Sequence, residues 1–157
     1  MVAAVLVLTL APLWSAPGVA GAVDLAGMGA ETIEVSGLHF LSDVCGVPIV
    51  QSGTISIGSM QLSDGSIEQH IRVDVDLVGN EEVAYERASF TATVDPVAGT
   101  VTLEGALVSI SAPEAGMLLR DVGRIVRALG SGDIQSLAGS WMLLNGQFEE
   151  VCSYFGA

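Results

Sequence analysis

The sequence predicts an all-β domain: an antiparallel meander forming a small barrel or half-open barrel, with a short C-terminal helix. Three observations support this. Apolar and polar side chains alternate with a period of two along most of the chain after residue 54, the pattern of half-buried strands. Turn signatures rich in Gly, Asp and Pro separate the alternating segments at short intervals. No helical periodicity lies between consecutive strands, which excludes the crossovers that a parallel sheet requires.

A first strand is expected over residues 32–41, with Ile33 and Val35 facing inward and an irregularity at Gly37. The clearest strand starts at Ile67. Ile67, Gln69, Ile71, Val73, Val75 and Leu77 share one face, while Glu68, His70, Arg72, Asp74 and Asp76 share the other. Ser63-Asp64-Gly65-Ser66 before it reads as a hairpin turn, so residues 54–62 pair back antiparallel. A two-residue turn there sets Leu62 opposite Ile67, and a bulge at Gly58-Ser59 then brings Ile57 and Ile55 onto the apolar face.

Gly79-Asn80 turns the chain into residues 83–94, where Ala84, Ala88, Phe90, Ala92 and Val94 face inward together with Glu86. The turn from Asp95 to Gly99 leads to a strand over residues 100–111. Pairing Val94 with Val101 sets Phe90 against Gly105, Ala88 against Leu107 and Glu86 against Ser109. Residues 117–129 alternate poorly, but Gly123 interrupts a helix and Ile125-Val126 favour a strand. A hairpin turn at Gly130 to Asp133 then precedes a short strand over residues 134–138. From Gln147 the period changes. Phe148, Val151, Cys152 and Phe155 recur at helical spacing and define an amphipathic terminal helix. Glycines 58, 105 and 123 are expected to bend the strands, with the helix packed at the mouth or seam of the barrel.

The N-terminal residues 2–14 are apolar and uncharged, about the length of a signal-peptide core and shorter than the ~20 residues of a membrane span. Ala20-Gly21-Ala22 supplies a small-x-small cleavage pattern, giving a signal peptide over residues 1–22 and a single β-rich domain over 23–157. No charge precedes Asp24, which places the expected start upstream of Met1; a retained anchor is the alternative. Export permits Cys45 and Cys152 to oxidise, and their spacing is not that of a redox Cys-x-x-Cys pair, so a structural disulfide is expected.

Among 157 residues there are 18 Asp and Glu against 5 Arg and no Lys, a formal charge of -13. That balance argues against nucleic acid and against anionic membrane surfaces as partners. No nucleophile elbow, P-loop, dinucleotide fingerprint or zinc-protease motif occurs, and no cofactor is expected. His39 and His70 are the only histidines; a site joining both with Asp43 or Asp74 rests on no metal-ligand spacing, and solvated or capped histidines are the simpler reading. Ala84, Ala88, Ala92 and Gly105 leave room above the inner face, filled either by the terminal helix or by an apolar ligand. Gln69, Glu86, Phe90 and Ser109 line this candidate pocket. Alternatively, Glu86 sits at a rim in water or pairs with an arginine such as Arg120.

Cys45-Gly46-Val47-Pro48, the Ser63-Asp64-Gly65 turn, the turn from Asp95 to Gly99, the stretch from Glu114 to Val126 and the closing Phe148-Glu149-Glu150-Val151-Cys152 also carry a resemblance. Their order resembles uncharacterised secreted actinobacterial proteins, whose pattern runs from Cys-Gly-Phe-Pro through a Pro-Gly-x-Gly turn and an Asp-x-Gly-Arg strand to a late cysteine. Val47 stands where that pattern has Phe, and Glu114-Ala115 replaces part of the turn. The resemblance implies export, a disulfide and a β-rich fold, and implies no activity. Three functions are consistent with these residues: a secreted noncatalytic domain binding a small apolar ligand or envelope component, a small-barrel isomerase or cyclase using Glu86 as base, or a structural or protein-binding module.

Overall fold

A computed structural model of the chain describes residues 29–157. The expected signal peptide and its cleavage site lie outside the described residues. Seven antiparallel strands follow one another in a single sheet, ordered β1-β2-β3-β4-β5-β6-β7, and the two end strands do not pair. The meander is therefore an open, curled sheet and not a closed barrel. Its strands are β1 (Ala30–Leu38), β2 (Val50–Gln61), β3 (Ile67–Gly79), β4 (Glu82–Asp95), β5 (Thr100–Ala112), β6 (Gly116–Ala128) and β7 (Ile134–Trp141). Two short helices, α1 (Leu41–Cys45) and α2 (Glu149–Tyr154), complete it.

The inner face is the alternating apolar set: Ile71, Val73, Val75 and Leu77 of β3, Ala84, Ala88, Ala92 and Val94 of β4, and Val101 and Leu103 of β5 are all buried. Each fully covered aliphatic side chain of this set stabilises the fold by about 1.5–3 kcal/mol. The first strand ends at Leu38, short of the expected Leu41, because residues 41–45 wind into α1. Gly46 stops that helix in the left-handed conformation (φ 70°), its N–H donating to the Ser42 carbonyl at 3.0 Å.

Two turns differ from expectation by one residue. Leu62 and Ser66 bond to each other across the first turn, which makes it a three-residue loop over Ser63-Asp64-Gly65 with Gly65 left-handed (φ 86°). The extra residue thus lies in the turn. The register runs unbroken through Ser59↔Gln69 and Ile57↔Ile71, so the bulge at Gly58-Ser59 and the bend at Gly58 are absent. The Asp64 carboxylate accepts from the Ser66 hydroxyl at 2.6 Å and the Ser66 N–H at 2.9 Å, and these bonds hold its pKa below the usual 3.8. In the β3–β4 hairpin, Gly79 pairs with Glu82 and the loop is Asn80-Glu81, both at positive φ (48° and 71°), the conformation of a type I′ turn.

Curvature comes from bulges and from a row of glycines. Gly105, Gly123 and Gly139 pair side by side across β5, β6 and β7. At Gly105 (φ 130°) a Cβ would lie 2.7 Å from the Ser89 carbonyl oxygen, so a side chain there would strike the neighbouring strand. The β5 register shifts between Ala106 and Val108 on its β6 side, and Leu107 and Val108 are both buried. That extra residue reverses the alternation beyond it. Glu86 consequently pairs with Ile110, not with the expected Ser109.

The apolar face of α2 behaves as its spacing predicts, with Val151 and Phe155 fully buried. Asn80 Nδ2 donates to the Phe155 carbonyl at 2.7 Å, and Tyr154 Oη donates to the Val83 carbonyl at 2.9 Å, which fastens the helix end to the β3–β4 hairpin. Desolvation, followed by the Glu82 side chain, raises the Tyr154 phenol above its usual 10. Cys45 of α1 and Cys152 of α2 form a disulfide with Cα atoms 5.1 Å apart, closing a loop of sequence separation 107.

Replacing both cysteines by serine should lower the unfolding free energy by about 4–5 kcal/mol in the chain-entropy account; denaturant titration of oxidised wild type against the variant measures it, and equal stability would refute it. A group whose folded pKa is depressed stabilises the fold above its unfolded pKa and loses that contribution as pH falls through the folded value. Asp64→Ala should therefore lower stability at neutral pH, and thermal unfolding midpoints of the two proteins should converge below the usual aspartate pKa of 3.8.

Candidate functional site

Among the described residues, Glu86 and His39 form a buried polar pair. Glu86 lies in the middle of β4 at 1% exposure, and His39, just past the end of β1, is at 5%. The chain there is held by the His39 N–H donating to the Ile49 carbonyl at 2.8 Å, and by the Ser42 hydroxyl, which donates to the Ile49 carbonyl at 3.0 Å and accepts from the Ile49 N–H at 2.9 Å. This brace at the start of α1 turns the His39 ring into the core. Its Nδ1 accepts from the Leu41 N–H at 3.4 Å, which leaves Nε2 as the donor to Glu86 Oε2 at 3.1 Å. Glu86 Oε1 is buried without a hydrogen-bond partner among the described residues.

This arrangement corrects two expectations. Glu86 is neither at a wet rim nor paired with Arg120, which is exposed. His39 is not solvated. The two histidines lie on opposite faces: His70 is on the outer face, with Nε2 3.1 Å from Glu68 Oε1 and Nδ1 3.1 Å from Thr91 Oγ1. Among the described residues no group of three or more His, Cys, Asp or Glu is placed to hold a metal ion, and no helix is long and apolar enough to cross a membrane.

The residues expected to line a pocket do not converge. Gln69 is on the inner face, with Nε2 donating to Ser59 Oγ at 3.1 Å. It lies six residues along β3 from Val75, the partner of Glu86, or about 20 Å at the usual strand rise. Phe90 is half-buried opposite Gly105, where an aromatic ring compensates for the missing side chain. Ser109 faces outward, its Oγ directed at Met117 Sδ at 3.7 Å, because of the β5 bulge. Asp121, the acidic residue of the Asp-x-Gly-Arg stretch, has a structural role: its Oδ1 accepts from the N–H groups of Met142 at 2.6 Å and Leu143 at 3.0 Å and so anchors the chain after β7.

Strand β7 leaves part of the inner face uncovered. Ile125 pairs with Leu137 and Arg127 pairs with Ile134, and paired residues share a face. Ile125 is 2% exposed, yet Leu137 is 46% and Ile134 44% exposed. At the other edge of the sheet, Ile33 of β1 and Ile55 and Ile57 of β2 are also only partly covered. Apolar side chains of the inner face thus continue to both edges with less cover than at its centre, and Glu31, the partner of Ile57, shares that face on β1. Comparison with protein-family models, with curated proteins and with solved structures finds no match to this chain.

His39→Ala removes the only side-chain donor to the Glu86 carboxylate among the described residues and should destabilise the protein by about 3 kcal/mol. The double replacement His39→Leu with Glu86→Leu should be less damaging than either single change, because no polar group is then left stranded. Urea unfolding of His39→Ala, the two single leucine variants and the double variant tests this, and additive losses in the double would contradict it.

Proposed function

We propose that the chain is an exported, noncatalytic β-domain that binds a small apolar molecule along the uncovered inner face of β7. The observation that carries this reading is the exposure of the inward-facing Leu137 (46%) and Ile134 (44%) beside buried neighbours of the same face. Aliphatic side chains left in water where the strand alternation directs them inward form an uncovered apolar strip, and burying such surface favours association by about 25 cal/mol per Å². Catalysis is the weaker reading. A general base must come within hydrogen-bond reach of a substrate, whereas Glu86 is sealed at 1% exposure against His39. Export is supported by the Cys45–Cys152 disulfide, which is compatible with an extracellular setting.

A neutral naphthylamine dye that brightens in apolar surroundings should bind the oxidised protein, and Leu137→Asp should weaken that binding about tenfold or more. Leu137 is exposed on an end strand, so the unfolding midpoint should shift little. Fluorescence titration that detects no dye binding, or equal binding by the variant, would overturn the proposal. Intact mass of the protein recovered outside the cell should correspond to a chain beginning at Val23; a mass that retains residues 1–22 would argue against cleavage there.

A further inference from the structure

Of the five arginines, Arg87 pairs with Asp74 and Asp76, and Arg124 lies 3.8 Å from Glu104, all on the outer face. Arg127 is different. It pairs with Val101 on one side and with Ile134 on the other, which places it on the inner face beside the uncovered β7. Among the described residues its Nε is buried without a hydrogen-bond partner, and none of the ion pairs includes it. In a chain with 18 acidic residues and 5 basic ones, a partly covered guanidinium without a carboxylate is an unmatched donor set. A guanidinium presents its N–H groups in a planar fork that fits a carboxylate, and in the partly covered Arg127 it is the Nη edge of that fork, not the enclosed Nε, that a ligand can reach.

We infer that the uncovered inner face of β7 takes a single-chain carboxylate amphiphile, with the carboxylate on Arg127 and the alkyl chain laid over Ile134 and Leu137. The inference rests on the apolar-site reading above and adds the charge of the ligand. Net charge opposes an anion at long range, but at physiological ionic strength screening acts over about 8 Å, so the contact with Arg127 decides. The strip is one-sided, so alkyl burial alone discriminates little between ligands of equal length, and the head group sets the preference.

The test is displacement of the naphthylamine dye from oxidised protein by dodecanoate and, separately, by dodecanol, both below their aggregation limits at neutral pH. Dodecanoate should compete about tenfold or more better than dodecanol. Arg127→Gln should abolish that preference while leaving dodecanol unchanged, and Arg127→Lys, which keeps the charge without the fork, should retain part of it. Equal competition by the two compounds in the wild-type protein overturns this inference and leaves the apolar site standing. An undiminished preference in Arg127→Gln overturns it as well. Dye that binds but is displaced by neither compound excludes the alkyl-chain ligand, and absence of dye binding removes both readings. Should Arg127→Gln not fold, the wild-type comparison and Arg127→Lys decide the matter.

Discussion

A single sheet with one apolar face must hide that face, and without a second sheet this protein does so by curling and by clamping two short helices over one end. The disulfide between Cys45 and Cys152 joins those helices. A five-residue α1 and a six-residue α2 have little intrinsic stability, since nucleation of so short a helix is unfavourable in water. Their persistence depends on the covalent link and on burial of Leu41, Val151 and Phe155. Coverage is therefore complete where the helices lie and fails at β7.

The curl has a local chemical basis. The glycine row across β5–β7 removes side chains where neighbouring strands approach too closely for a Cβ, and the β5 bulge adds a residue that sharpens the twist. An open sheet then retains two free edges. On β1, Glu31 and Glu34 place charges along one edge, a common protection against pairing with another chain, and the charge of -13 adds general repulsion between copies.

The buried Glu86–His39 pair and the exposed Leu137 and Ile134 are opposite departures from the hydrophobic pattern. In the first a polar pair lies where packing calls for apolar groups, and it is tolerated because each partner supplies the other with a hydrogen bond in the dry interior. In the second, apolar groups lie where water reaches them. The first binds α1 to the centre of the sheet. The second is the surface that gives the proposed ligand a place, with Arg127 beside it as the basic group of the inner face.

The sequence by itself determined the strand order, the inner face of β3 and β4, the terminal helix and the cysteine pair, because these follow from side-chain period, turn residues and the count of two thiols, all local or combinatorial facts. Near Glu86 the reading failed by one residue. A bulge at Leu107-Val108 leaves no signal in a run of apolar residues, and a single added residue is enough to turn Ser109 outward and bring Ile110 inward. The partner of Glu86 was equally hidden: His39 is 47 positions away, and only the bend into α1 points its ring inward. Whether the sheet would close was a further question of summed twist over seven strands, which no segment encodes alone. Tertiary structure decided that β1 and β7 do not pair, and it left Leu137 and Ile134 of the apolar face in contact with solvent.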